Sequence, residues 1–154
     1  MKRVKIKQIL ASEQAGERFE VGGWVRSARM SQNVGFLDLT DGSSMAGLQV
    51  VLDSETEGFD TLKDIHTGSS VLAVGTLVES PGKGQKYELK CEKITLLGPA
   101  DPETYPVQKK KHTLEFLRQK AHLRVRTNTF SAVFRLRSHL SQGIHDFFRR
   151  KGFF

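Results

Sequence analysis

The sequence predicts a mainly β domain, a small five-stranded barrel, with a helical segment after it. Three observations support this fold class. Residues 1–98 contain short runs of β-branched, aliphatic and aromatic residues separated by Gly and Ser. Residues 99–112 contain Pro99, Pro102 and Pro106, which indicate a linker or hinge. Residues 113–154 repeat apolar side chains at the three- and four-residue spacing of a helix.

Each element of the barrel follows from a local pattern. Gly22-Gly23 marks a bulge or bend in the first strand, and Asp41-Gly42-Ser43-Ser44 is a turn sequence. Ser54–Ile65 has helical spacing, with Ser54 or Thr56 as its N-cap. The predicted strands are Val21–Arg29, Val34–Thr40, Leu48–Asp53, Val71–Glu79 and Tyr87–Leu97. Three strands, a helix and two strands is the order of an OB-fold, a five-stranded Greek-key barrel.

Two helices are predicted after the hinge. Leu114–Leu123 is the first, and Asn128–Lys151 is a longer amphipathic helix capped by Thr127 or Asn128. Its apolar side chains lie largely on one side: Phe130, Val133, Phe134, Leu140, Ile144, Phe147 and Phe148. Because that side has no evident partner and the sequence stops at two phenylalanines, we expect the chain to end before its next strand.

Composition narrows the function classes. A chain of 154 residues is too short to be most large enzyme folds as a complete unit, and one cysteine cannot form an internal disulfide. No run approaches 18 apolar residues, so we expect no membrane span and a cytoplasmic setting. The formal net charge is +7, yet residues 1–98 have 12 basic and 13 acidic side chains. The basic surplus therefore lies after the barrel, and charge alone does not mark the barrel as a nucleic-acid site.

Strand alternation separates the predicted core from a polar face. Leu37 and Leu39 share the inward face of the second strand, whereas Phe36 shares the outward face with polar neighbours. If the second and third strands pair, Phe36 lies beside Gln49. An aromatic side chain on this face of an OB-fold is a platform for stacking a base, and a glutamine offers a donor and an acceptor to a base edge. Glu88 alternates outward on the last strand and offers an acceptor.

Other signals carry less chemistry. Gly82–Lys86 lacks the spacing of a phosphate-binding loop, and the five histidines are too scattered to predict a metal site. Cys91 alternates inward and is predicted to be a core residue, so no catalytic residue is predicted. Lys109-Lys110-Lys111 is either a solvated charge run or a contact to a nucleic-acid backbone.

Several segments resemble the anticodon-binding barrel of class II aminoacyl-tRNA synthetases for Asp, Asn and Lys. They are Gly23–Arg29, Phe36–Leu39, Asp41–Ser43 and Leu48–Val51. Later segments are similar to asparaginyl-tRNA synthetases: Ser80–Gly82 with Gln85, Asp101–Pro106, His112–Arg118, Ala121–Arg124 and Arg126–Thr129. Val125 departs from the family pattern, which has proline there.

The resemblance implies roles for individual residues. The aromatic side chain at Phe36 would stack the central anticodon base, a uridine. Gln49 and Arg29 would contact anticodon bases, and Glu88 would lie near the third base. Apart from the resemblance, Arg26 is a candidate contact to the tRNA backbone, and beside an anticodon-binding domain Lys109, Lys110 and Lys111 are candidates as well as a solvated charge run.

The resemblance also implies a function, anticodon recognition of tRNA(Asn) in an asparagine–tRNA ligase. Residues 1–98 would be the anticodon-binding domain, 99–112 the hinge, and 113–154 the start of the catalytic domain with the first half of motif 1. The whole enzyme would use ATP and Mg²⁺ and form a homodimer through the motif 1 helix. Motifs 2 and 3 are absent from these residues, so the chain should bind tRNA but not catalyse, and it should need no cofactor itself. The alternatives are a free-standing OB-fold that binds single-stranded nucleic acid, and the aspartyl or lysyl subgroup.

Overall fold

Five strands close into a barrel in the computed structural model, which describes residues 3–12, 14–31, 33–82 and 84–154. The strands are β1 (Arg18–Ser31), β2 (Val34–Thr40), β3 (Leu48–Asp53), β4 (Ser70–Glu79) and β5 (Tyr87–Gly98). Their order around the barrel is β1-β2-β3-β5-β4, with β3 and β5 parallel and the other pairs antiparallel. This topology confirms the predicted OB-fold.

β1 bends, and the bend allows it to pair with two neighbouring strands. Its first half pairs with β4 and its second half with β2, and Trp24 is the residue common to both ladders. A β carbon on Gly23 would lie 2.8 Å from the carbonyl oxygen of Thr40, so only glycine allows this close approach. The register shift itself falls between Val25 and Ser27. The glycine pair therefore permits close packing of strands, and the predicted bulge lies a few residues later.

The core fills the inside of the barrel with alternate strand residues. Leu37, Leu39 and Cys91 point inward as the alternation predicts, and each is almost completely buried. A short helix, α1 (Ile6–Leu10), also contributes to the core through Ile6 and Ile9, which have no exposed surface. No pattern in the sequence predicts α1, since five residues are too few to show a helical period.

Long-range hydrogen bonds hold the start of α1. The backbone N–H of Ile6 donates to Asp41 Oδ2 at 3.0 Å, and the N–H of Lys7 donates to Ser43 Oγ at 3.0 Å. Burial alone would raise the pKa of Asp41, but hydrogen bonds from Ser43 and Ile6 outweigh it and lower the pKa. The turn after β2 therefore satisfies the first amides of α1, as a cap would.

The segment between β3 and β4 differs from its prediction. The predicted helix Ser54–Ile65 is wrong in extent, because only Phe59–Asp64 is helical and it is a 3₁₀-helix. Thr56 does not cap it. Its hydroxyl accepts from the Asp53 N–H at 3.1 Å and lies 3.0 Å from the Cys91 carbonyl, to which it donates. Gly58, with φ of 86°, then starts the 3₁₀-helix in the left-handed region.

Residues Lys111–Phe154 form a second compact unit, distinct from the unit Met1–Lys110. It contains α2 (Leu114–Gln119), shorter than predicted, and α3 (Asn128–Arg150), close to its predicted bounds. The Thr127 side chain accepts from the Phe130 N–H and caps α3, which confirms one of the two predicted caps. Large apolar side chains of α3 are exposed: Val133, Leu136, Leu140, Ile144, Phe147 and Phe148. Within the described ranges, every helix is too short or too polar to cross a membrane.

We predict that Asp41→Ala destabilises the barrel by roughly 1–2 kcal/mol at pH 7, because it removes the acceptor for the first amide of α1. Since the folded-state pKa of Asp41 is lowered, its contribution is present above the ordinary value of 3.8 and is lost as pH falls through the folded-state value. Urea unfolding at pH 7 and at pH 3 measures this. Asp60→Ala, at an exposed carboxylate, is the control. An equal loss at both pH values would contradict the role of the charge.

Candidate nucleic-acid interface

The registers of four strands place two rows of side chains on the outside of the barrel. Residues opposite one another in the ladders are Arg29 and Phe36, Phe36 and Val51, and Val51 and Lys90. In the next row, Ser27 lies opposite Asp38 and Asp38 opposite Gln49. Val50 pairs with Leu89 in the parallel strands, so Gln49 and Glu88 are the next positions along that pair. We call these eight residues the outer face: Arg29, Phe36, Val51 and Lys90 in the first row, and Ser27, Asp38, Gln49 and Glu88 in the second.

The predicted site residues of the barrel come together on this outer face. Phe36 lies opposite Val51, while Gln49 lies opposite Asp38 in the next row. Phe36 and Gln49 are therefore diagonal neighbours on one face, which agrees with the predicted position of Phe36 beside Gln49. Adjacent strands are about 4.8 Å apart, so the four strands span about 14 Å, the scale of a few stacked bases.

The first row has an apolar centre between two cations. Phe36 and Val51 are half-buried, and Arg29 and Lys90 at the two ends are exposed. An aromatic ring with guanidinium and ammonium groups at either side is suited to a base stacked in the middle and phosphates at the edges.

The second row differs from its prediction at Glu88. The sequence predicts an open, outward side chain, but only 9% of Glu88 is exposed. Glu88 Oε2 accepts hydrogen bonds from Gln49 Nε2 at 3.0 Å, Ser80 Oγ at 2.8 Å and Gln85 Nε2 at 3.3 Å. Alternation gave the correct direction, but it does not show that the loop between β4 and β5 covers the carboxylate.

Asp38 is an acidic member of the outer face that is not among the predicted site residues. Burial raises the pKa of Asp38, while the positive charges of Arg26, Lys109 and Arg29 act in the opposite direction. Arg26 Nε lies 4.0 Å from Asp38 Oδ2, and Arg26 Nη1 donates to the Met45 carbonyl at 3.2 Å. Asp38 shares the alternation of Phe36, which is the signal that could have identified it.

The cations predicted to contact the tRNA backbone are not members of the outer face. Arg26 and Lys109 are near enough to Asp38 for their charges to affect its pKa. Lys110 is exposed at the end of the barrel unit, and Lys111 is exposed at the start of the second unit. Lys83 of the Gly82–Lys86 loop lies outside the described residues.

A family profile described as the OB-fold nucleic acid binding domain, the tRNA anticodon type, matches residues 19–97. The chain belongs to this family. The match covers β1 to β5, the strands that carry the outer face. The matched residues thus form an OB-fold domain, which includes the alternating core, the parallel β3–β5 pair and the outer face.

Curated relatives of this OB-fold chain are named asparagine–tRNA ligase. The relative from Borreliella afzelii is 48% identical over 151 residues, 97% of this chain and 33% of the relative. The relative from Parabacteroides distasonis is 49% identical over 154 residues, 100% of this chain and 33% of the relative. The chain therefore spans about a third of the length of the curated relatives it matches. These homologues confirm the resemblance to asparaginyl-tRNA synthetases predicted from the sequence.

Solved structures share the fold. Asparaginyl-tRNA synthetase from Pyrococcus horikoshii superposes with a TM-score of 0.84 at 21% identity, over 98% of this chain and 36% of that one. Aspartyl-tRNA synthetase from Entamoeba histolytica gives a TM-score of 0.80 at 17% identity, over 99% of this chain and 38% of that one. At these identities the likeness concerns the fold.

The single thiol of the OB-fold domain belongs to the core. Cys91 is 3% exposed, and burial raises its pKa to about 12. Across residues 3–12, 14–31, 33–82 and 84–154, no three His, Cys, Asp or Glu side chains form a group that could hold a metal ion.

We predict that native Cys91 is almost inert to thiol reagents at pH 8. With a pKa of about 12, only about one thiol in ten thousand is ionised at that pH, and the side chain is also covered. Absorbance after addition of a disulfide reagent, with and without urea, measures this. Reaction of one equivalent within seconds in the folded protein would contradict the core assignment.

Proposed function

We propose that this chain recognises the anticodon of tRNA(Asn) as part of an asparagine–tRNA ligase. The observation that carries the proposal is the outer face, where Arg29, Phe36, Gln49 and Glu88 lie in two adjacent rows. The family match and homologues named asparagine–tRNA ligase support it. In this proposal the barrel binds the anticodon and distinguishes its bases, and it carries out no covalent chemistry.

Each row has its own task in the proposed complex. The central base stacks on Phe36, with Val51 extending the apolar surface beside it. Arg29 and Lys90 approach phosphates or base edges at either side of the stack. Gln49 and Glu88 meet the hydrogen-bonding edges of the bases, because they lie one residue pair from the ring. The backbone-positioning cations are Arg26, Lys109, Lys110 and Lys111.

The remaining parts of the proposal concern the whole ligase. Residues 1–98 serve as the anticodon-binding domain, 99–112 as the hinge, and 113–154 as the start of the catalytic domain. The ligase joins asparagine to tRNA in the cytoplasm with ATP and Mg²⁺. The exposed apolar side of α3 supports a homodimer interface in the whole enzyme.

We predict that the 154-residue chain prefers the anticodon stem-loop of tRNA(Asn) over those of tRNA(Asp) and tRNA(Lys). The preference follows from hydrogen bonds between the outer face and the anticodon bases, which a stem-loop with different anticodon bases cannot all form. Fluorescence anisotropy with labelled stem-loops measures it at fixed salt, since affinity for nucleic acid depends strongly on ionic strength.

Random single-stranded DNA serves as the competitor that distinguishes the classes. Equal affinity for DNA of any sequence would support a free-standing single-strand-binding protein and overturn the proposal. Preference for the Asp or Lys stem-loop would assign the chain to the neighbouring subgroup.

We predict that Phe36→Ala weakens stem-loop binding by roughly 1–3 kcal/mol, the value of one base–aromatic stack. Phe36→Leu keeps an apolar side chain but removes the ring, so it should lose most of the same affinity. Phe36→Tyr keeps the ring and should bind like the wild type. Titration of the three variants, with circular dichroism to verify folding, checks this order. If Phe36→Leu binds as tightly as Phe36→Tyr, stacking is not the role of this residue.

A further inference from the structure

The segment after β5 lies against the barrel. We call residues 99–110 the strap. Near its start, the backbone N–H of Ala100 donates to Ser69 Oγ at 3.1 Å, and Ser69 has no exposed surface. Near its end, Val107 is 9% exposed. The compact unit that contains the barrel extends to Lys110, so the part of the predicted hinge before residue 111 belongs to the barrel unit.

The ring of Tyr105 rests on the backbone of Gly68. A β carbon built on Gly68 would lie 2.6 Å from Tyr105 Cε2, so the ring fills the space that any other residue would need there. Two backbone hydrogen bonds of 2.8 Å tie this turn to β1. The Gly68 N–H donates to the Val25 carbonyl, and the Val25 N–H donates to the Ser69 carbonyl. Tyr105 is therefore seated on a turn that is bonded to β1 directly before Arg26.

Hydrogen bonds within the strap connect Tyr105 to Lys109. The Tyr105 N–H donates to the Asp101 carbonyl at 2.9 Å. The Gln108 side chain closes the turn, because its Nε2 donates to the carbonyls of Tyr105 at 2.9 Å and Pro102 at 3.2 Å. Gln108 immediately precedes Lys109 in the chain. The position of Lys109 thus depends on the turn that Tyr105 holds against the barrel.

Lys109 adds a third cation at one edge of the outer face. Its positive charge acts on Asp38, as do the charges of Arg26 and Arg29. Lys109 is exposed, and Arg26 Nε lies 4.0 Å from Asp38 Oδ2. Three cations beside one carboxylate leave a local surplus of positive charge, which attracts a phosphate group.

We propose that Tyr105 is a positioning residue, which holds the strap on Gly68 so that Lys109 contacts a phosphate of the bound RNA. This inference rests on the proposed function, since the RNA is the one that the outer face binds. A cation on a segment that is already ordered loses less conformational entropy on binding, so the anchor affects affinity although Tyr105 itself does not touch the RNA. Phosphate contacts carry no sequence information, so the strap adds affinity and leaves base choice to the outer face.

The test measures how binding depends on salt. Dissociation constants of the 154-residue chain and the anticodon stem-loop of tRNA(Asn) are determined by fluorescence anisotropy at several KCl concentrations. Each phosphate contact that is lost reduces the slope of log affinity against log salt by about 0.7–0.9. Lys109→Gln should show this reduction together with a several-fold loss of affinity at low salt.

Variants of Tyr105 test the positioning role. Tyr105→Ala should reduce the slope in the same direction while Lys109 is still present. In the double variant with Lys109→Gln, the slope should equal that of Lys109→Gln alone, because both changes remove the same contact. Tyr105→Phe retains the ring and should restore the wild-type slope.

Two glycines with the same backbone angle provide a matched control. Gly68 and Gly16 both have φ of 98°. Among the described residues, apart from the chain neighbours of Gly16, no atom lies within 4 Å of a β carbon built on it. Alanine therefore strains the backbone at both positions but displaces the Tyr105 ring only at Gly68. Gly68→Ala should reduce the slope like Tyr105→Ala, and Gly16→Ala should leave it unchanged.

Two results would overturn the proposal. If Lys109→Gln retains the wild-type slope, Lys109 is a counter-ion of Asp38 and not a phosphate contact. If Lys109→Gln reduces the slope but Tyr105→Ala, folded by circular dichroism, retains it, Tyr105 does not position the lysine. A wild-type protein that shows no preference among stem-loops and random DNA is a different result, since it contradicts the proposed function itself.

A second measurement uses the free protein. The amide protons of Ala100 and Tyr105 should exchange slowly with water, because they donate to Ser69 Oγ and to the Asp101 carbonyl. In Tyr105→Ala the Ala100 amide should exchange faster, since the strap has lost its seat. Exchange of both amides in the wild type at the rate of an unfolded chain, followed by nitrogen-15 NMR, would also overturn the proposal.

Discussion

The bend in β1 is the constraint on which the rest of the structure depends. One strand pairs with β4 and then with β2, and Trp24 stands opposite Ser70 on one side and Thr40 on the other. The close approach of Gly23 to the Thr40 carbonyl and the register shift before Ser27 make this turn of the sheet possible. After the shift, Arg29 falls opposite Phe36. The backbone register, more than any single side chain, therefore assembles the outer face.

Charge on the outer face is distributed by row. Arg29 and Lys90 flank the apolar centre, whereas Asp38 and Glu88 lie in the adjacent row with hydrogen-bonding partners or cations near them. The net charge of +7 describes the whole chain and is a poor guide to this surface. A barrel with mixed charges suits recognition of bases, since phosphate attraction alone carries no sequence information.

The features that could be predicted from the sequence are those that show as a pattern over a few neighbouring residues. The bounds of β2 and β3, the inward direction of Leu37 and Leu39, and the Thr127 cap of α3 are all indicated by alternation, turn residues or capping residues within a few positions. The differences arise where distant residues act. Asp41 supports α1 from 35 positions away, and Thr56 bonds to the Cys91 carbonyl at the same separation. Alternation likewise predicted that Glu88 points outward, but it did not predict the hydrogen bonds that Ser80 and Gln85 donate to it.

β3 and β5 meet along a short parallel seam, with paired residues Val50–Leu89 and Val51–Lys90. Gln49 and Glu88 continue this seam by one step, with a side-chain hydrogen bond of 3.0 Å in place of a backbone ladder. The pair thus links two strands of the barrel as well as being a proposed contact for a base. Substitution of either residue would remove this hydrogen bond between β3 and β5, so under the proposed function a change of base preference at this point also weakens the closure of the barrel.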